Sequence, residues 1–150
     1  MNDEWILLVE DHSADLRLTL EAFAENGIGS SRIRVARNAQ SALDWLATLP
    51  QRPLEHWPRL VLLDLNLPDR PGLEVLRTIK AAPPMSYLPV VVMSTSEAQP
   101  DVVAAHQLHV NLFLKKPTDW ADFLRVTSLL RELFIDAARR PATPTGSLRL

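Results

Sequence analysis

The chain has 150 residues, enough for one domain with a substantial core. Hydrophobic residues make up 47% and charged residues 23%, with a net charge of -2, so nothing in the charge balance points to nucleic acid or an anionic membrane as partner. There is no cysteine, which excludes disulfides, thiolate chemistry and cysteine-based metal sites. The apolar run Ile6–Val9 is too short for a signal segment or a membrane span, and a cytoplasmic location is expected.

In chain order, a short apolar run at Trp5–Val9 reads as a first strand. Leu16, Leu20 and Phe23 then repeat at helical spacing, with Ser13 as the expected N-cap and Gly27 as the stop. Ile33–Ala36 reads as a second strand. A helix opening at Asn38 follows, carrying Ala39, Ala42, Leu43 and Leu46 and ended by Pro50 and Pro53. Leu60–Leu63 is the third strand. The helix after Gly72 has Leu73, Leu76 and Ile79 on one face and stops before Pro83-Pro84. Val90–Met93 is the fourth strand, and a helix from about Pro100 to Leu108 comes next. Leu112–Leu114 is the fifth strand, and the last helix is expected to be capped by Thr118.

Most of these strands are apolar at nearly every position, as in a parallel sheet buried on both faces. Five strand–helix units in strict alternation imply an α/β fold, a doubly wound parallel sheet with helices on both sides. Residues 1–137 are read as the domain and residues 138–150 as a tail. In such sheets the functional site lies beyond the C-terminal ends of the strands. Those ends carry Glu10-Asp11, Asp64, Ser94-Thr95-Ser96 and Lys115-Lys116-Pro117. Carboxylates crowded on one rim repel unless a cation sits among them. Two carboxylates and a phosphate oxygen suit Mg²⁺, which keeps several waters. Asp64 is a plausible nucleophile toward phosphorus, with the metal and a lysine neutralising the phosphoryl oxygens.

The motifs Leu8-Val9-Glu10-Asp11, Leu62-Leu63-Asp64-Leu65-Asn66-Leu67-Pro68 with Gly72, Met93-Ser94-Thr95-Ser96 and Lys116-Pro117 resemble the receiver domain of two-component response regulators. The resemblance runs from about Ile6 to Leu133. It implies a flavodoxin-like sheet of order 2-1-3-4-5 with five helices. It implies phosphorylation of Asp64, with Mg²⁺ or Mn²⁺ held by Glu10, Asp11, Asp64 and the backbone carbonyl of Asn66. Family spacing picks Ser94 over Thr95 as the switching hydroxyl, and Lys116 over Lys115 as the ammonium. Phe113 takes the aromatic switch position, where it has no hydroxyl to offer. A cis Lys116–Pro117 bond is also implied. Thr95 is larger than the family's usual residue there, and the Pro50–Pro58 stretch is longer than in compact receivers.

Within the family, Val92-Met93-Ser94-Thr95-Ser96, Leu108-His109-Val110-Asn111, the Pro50–Pro58 loop and the C-terminal extension resemble single-domain regulators paired with phytochrome-type histidine kinases. The expected partner is therefore a sensor histidine kinase of that type. The expected molecule is a phosphoacceptor switch with slow self-dephosphorylation rather than an enzyme, and no output domain is expected after the fifth helix. Aspartyl-phosphate hydrolases need a second acid two residues after the nucleophile, and Asn66 cannot play that part. The alternative is a pseudo-receiver, a scaffold that is never phosphorylated. His12, His56, His106 and His109 lack ligand spacing, and Trp45 and Trp57 read as packing anchors. Glu25, Arg32, Arg34 and Arg37 read as ordinary surface charge. Trp120, Phe123, Leu124, Val126, Leu129, Leu130, Leu133 and Phe134 give the last helix an apolar face wider than one sheet contact needs. A homodimer built on this helix, reaching to about Arg139 and including the tail, is expected.

Overall fold

The computed structural model describes residues 4–95 and 99–137. Five strands, β1 (Ile6–Val9), β2 (Ile33–Ala36), β3 (Leu60–Asp64), β4 (Val90–Ser94) and β5 (Leu112–Lys115), form one parallel sheet of order β2-β1-β3-β4-β5. The central strands β1, β3 and β4 are buried at every residue, while the edge strands β2 and β5 are not. The continuous apolar runs therefore sit where both faces are covered.

Alternation along the strands splits the core in two. Leu7, Val9, Val61, Leu63, Val90 and Val92 pack against α2 (Ala39–Leu46), α3 (Gly72–Lys80) and Ala105 of α4 (Gln99–Gln107). Ile6, Leu8, Leu60, Leu62, Val91 and Met93 pack on the other face against α1 (Ser13–Glu25) and α5 (Trp120–Leu130). α5 continues as a π-helical segment, Arg131–Asp136, that buries Ile135. Asn26 joins α1 to α5, its amide donating to the Leu124 carbonyl at 3.2 Å and the Thr127 hydroxyl at 2.8 Å.

Several helix ends differ from expectation by a residue or a turn. α1 is capped by His12, whose Nδ1 accepts from the Asp15 N–H at 3.4 Å, because Ser13 is already helical and its hydroxyl accepts from Arg37. α5 is capped by Asp119 rather than Thr118, with the carboxylate accepting from the Asp122 N–H at 2.8 Å. α2 stops at Leu46, a turn ahead of Pro50, as the Thr48 hydroxyl takes the Trp45 carbonyl at 2.7 Å. Gly27 ends α1 as expected, at φ 86°, a left-handed backbone that favours glycine.

The longer loop before β3 folds as two 3-10 turns, Leu49–Gln51 and Leu54–His56. It is pinned by buried Leu49 and by the Trp57 indole donating to the Arg52 carbonyl at 3.0 Å. The guanidiniums of Arg34 and Arg52 stack on Trp45. Among the described residues no helix is long and apolar enough to cross a membrane. Ser96 and residues 138–150, with the expected tail and the helix end at Arg139, lie outside the described residues.

Candidate phosphoacceptor site

Strand register assembles the site. Val9 lies opposite Leu63, so Glu10 follows β1 beside Asp64, the last residue of β3. Ser94 ends β4 opposite Lys115, and the Lys116 N–H donates to the Ser94 carbonyl at 2.9 Å. Four polar groups are thereby taken out of water: Glu10 is 3% exposed, Asp64 5%, Ser94 0% and Lys116 7%. Burying charge is costly unless it is paired. The pairing is complete at the ammonium. Lys116 Nζ lies 2.8 Å from Glu10 Oε1, 2.9 Å from Asp15 Oδ2 and 3.1 Å from Asp64 Oδ2.

The second oxygens of Glu10 and Asp64 are held by backbone donors. The His12 N–H donates to Glu10 Oε2 at 3.1 Å, and the Asn66 N–H to Asp64 Oδ1 at 3.0 Å. Asp64 is thus fixed from both sides, with one oxygen on the lysine and one on the backbone. Burial pushes the Glu10 carboxyl up to about 7; the adjoining Asp64 adds to the rise and Lys116 opposes it. For Lys116 burial pulls downward, but its bonds to Glu10 and Asp15 and the Asp64 charge outweigh that and raise it. The ammonium stays charged.

The expected site residues thus fall into two groups. Glu10, Asp64, Ser94 and Lys116 come together in the buried cluster. Asp11 is exposed and, with Leu65, Asn66, Asp69, Arg70 and Asp101, lines an adjoining cleft of about 600 Å³. Phe113 is half-buried and packs with Leu108 and Val110 against the α2–α3–α4 side of the core. Thr95 does more than fill space: its hydroxyl accepts from the Asn66 amide at 3.2 Å. The Lys116–Pro117 peptide is not cis; among the described residues the cis bond is Pro83–Pro84. Ladder contact with Ser94 and three carboxylates bring the lysine in without that turn.

Three contributors escape sequence reasoning. Asp15, in the first turn of α1, completes the lysine's acceptors; its only signal is being an acid in the first turn of the helix that follows the Glu10-Asp11 pair. Arg37, taken for surface charge, donates to the Asp11 carbonyl at 2.9 Å and so ties the β2 rim to the acid pair. Asp69 caps α2 from a distance, its carboxylate accepting from Ala39 and Gln40 N–H at 2.9 Å each. Burial acts to raise it, but the backbone bonds together outweigh that and hold it below its ordinary range.

A model of the response regulator receiver domain matches residues 6–127. The chain belongs to that family. Response regulator Rcp1 of Synechocystis sp. (strain ATCC 27184 / PCC 6803 / Kazusa) is 36% identical over 91% of this chain and 92% of its own length. The crystal structure of the phosphorylated cyanobacterial phytochrome response regulator RcpA superposes with a TM-score of 0.76 at 35% identity, covering 92% of this chain and 98% of that one. The Mn²⁺-bound form of Rcp1 does so with a TM-score of 0.76 at 34% identity, covering 93% and 99%. The sheet order and five helices are those of the receiver fold.

Whether a divalent ion suits this receiver site is answered by its donors. Among the described residues no group of three or more His, Cys, Asp or Glu stands ready as a metal cage, because the ammonium occupies the centre of the acids. Mg²⁺ does not need such a cage. It takes one or two carboxylates, keeps its waters and prefers oxygen. Asp11 at the cleft, the buried Asp64 and the Asn66 carbonyl offer oxygen alone, beside an open cleft. The residues fit a hard, partly hydrated cation.

Proposed function

We propose that this receiver is a phosphorylation switch in which Asp64 takes a phosphoryl group from the phosphohistidine of a sensor histidine kinase of the phytochrome type. The observation that carries the reading is the buried Asp64–Lys116 pair, 3.1 Å apart at the rim of the sheet, with the second Asp64 oxygen held by the Asn66 N–H. The likeness to RcpA and Rcp1 supports the choice of partner. An Asp64 carboxylate oxygen attacks phosphorus, the O–P bond forms as the P–N bond breaks, and the donor imidazole leaves with the electron pair. Lys116 neutralises charge on the phosphoryl oxygens, and the buried surroundings strengthen that interaction. Glu10, Asp11, Asp64 and the Asn66 carbonyl would hold Mg²⁺ or Mn²⁺, which supplies further positive charge to the phosphoryl group. Ser94 and Phe113 report the new charge to the surface of α4, β5 and α5, shifting the population between two arrangements.

Intact mass after incubation with acetyl phosphate and Mg²⁺ tests this. Wild type is expected to gain one phosphoryl group, and Asp64→Asn none. An unmodified wild type would instead favour the unphosphorylated scaffold.

The same reading includes a homodimer. Trp120, Leu129 and Leu133 of the last helix remain about 40% exposed, at 41%, 40% and 41%, which leaves apolar area for a second copy. Sizing of the full chain and of residues 1–137 should give a dimer that weakens on truncation; a monomer in both cases ends this part of the reading.

A further inference from the structure

We propose that Asp15 is a positioning residue for phosphoryl transfer, anchoring the Lys116 ammonium while the other two acids of the cluster change partners. The inference rests on Asp64 being the phosphoacceptor.

An ammonium has three donors and no acceptor. Here all three face carboxylate oxygens, those of Glu10, Asp15 and Asp64. Two of these acceptors are claimed by the proposed chemistry. Once Asp64 carries phosphorus its side chain is an acyl phosphate, and the carboxylate charge that faced the lysine is gone. Glu10 is a ligand in the proposed metal set, and a cation placed there competes with the ammonium for the same oxygens. Asp15 has neither duty. It sits on α1 rather than at a strand end, and no metal role falls on it.

Asp15 is also built to keep its place. Its side chain is 22% exposed, against 4% for Glu10 and 4% for Asp64, so water continues to stabilise the anion. It lies in the first turn of α1, where the helix dipole favours a carboxylate. Its backbone is held on both sides, the N–H donating to His12 Nδ1 at 3.4 Å and the carbonyl accepting from the Thr19 hydroxyl at 2.7 Å. Asp15 is therefore the lysine partner that neither the phosphoryl group nor the metal takes away. It keeps the free N–H groups of Lys116 aimed at the incoming phosphoryl oxygens. A residue on α1 and a residue after β5 are coupled by this bond across the rim.

Phosphorylation rates with acetyl phosphate and Mg²⁺ test the proposal. Asp15→Asn keeps the shape and removes the charge, and it is expected to slow the reaction about tenfold; Asp15→Glu should restore the rate to within about threefold of wild type. A purely structural role would persist without the lysine. In a Lys116→Met background Asp15→Asn is therefore expected to change the rate by less than about twofold. A full rate in Asp15→Asn, or an equal loss in both backgrounds, overturns the anchor and leaves Asp64 as phosphoacceptor. A wild type that takes no phosphoryl group overturns both.

Discussion

Lys116→Met is expected to destabilise the metal-free protein by about 3 kcal/mol at pH 8, since removing one partner of a buried ion cluster leaves charge uncompensated. The lysine is 7% exposed and faces three carboxylates, two of them equally buried. Methionine fills the volume and supplies no donor, so packing is retained and the loss is electrostatic. The effect has a pH signature. Glu10 sits at about 7 in the folded protein against an ordinary 4.5. Between those values the folded chain holds more protons than the unfolded one, so stability falls as pH rises through this window, and the penalty is complete above it. Lys116 holds Glu10 down, so its removal deepens the penalty and carries it to higher pH. The lysine itself is raised, so its own loss of a proton removes no stabilisation until the pH passes its ordinary 10.5. The gap between wild type and variant should therefore be smallest near pH 5, about 1 kcal/mol, because a protonated Glu10 no longer needs the ammonium. Mg²⁺ should narrow it at pH 8 by returning positive charge to the acids. Urea unfolding at the two pH values, with and without Mg²⁺, measures this. A variant as stable as wild type at pH 8 would mean that the cluster is not held together by the lysine.

Why Glu10, Asp64, Ser94 and Lys116 can be found from sequence follows from the sheet. Each ends or follows an apolar run, and parallel strands deliver all such ends to one rim. Their order in the sequence is then a map of their neighbours. The residues that escaped are those whose partners belong to another element. Asp15 is not singled out in the sequence because its lysine is far away along the chain. Asp69 is not singled out because capping rules consider a helix's own flanking residues, whereas α2 receives a second cap from the loop after β3. Arg37 reads as solvent-facing because nothing local reveals that its guanidinium crosses to the Asp11 carbonyl. The small errors at the caps of α1 and α5 are of another kind. Adjacent residues there, His12 and Ser13 or Thr118 and Asp119, all carry side chains able to accept from the first turn, and only backbone angles choose between them. The cis Lys116–Pro117 bond came from resemblance alone, and the lysine reaches its acids by contacts that do not require it.

Gly72→Ala should be destabilising by about 3 kcal/mol, as overpacking against rigid backbone is. Local preferences argue the reverse. Gly72 opens α3, alanine is the better helix former by about 1 kcal/mol, and it also lowers the entropy of the unfolded chain. The backbone there is not in the left-handed region, so no strain from φ opposes the change. What opposes it is space. A Cβ at this position would stand 2.5 Å from the Asp64 carbonyl oxygen and 2.6 Å from Leu65 Cα, both backbone atoms that cannot rotate away. The closeness is itself built in, because the Gly72 N–H donates to the Leu65 carbonyl at 2.9 Å. Relief requires moving the start of α3 away from the end of β3, which breaks that bond and disturbs the Asn66 N–H that holds Asp64. Phosphorylation of Asp64 should slow along with the loss of stability. Gly29→Ala is the matched control: nothing lies within 4 Å of its Cβ, and its stability should stay within about 0.5 kcal/mol of wild type. Chemical denaturation of the two variants decides the matter, and a Gly72→Ala protein as stable as Gly29→Ala would show that the β3–α3 junction has slack enough for a methyl group.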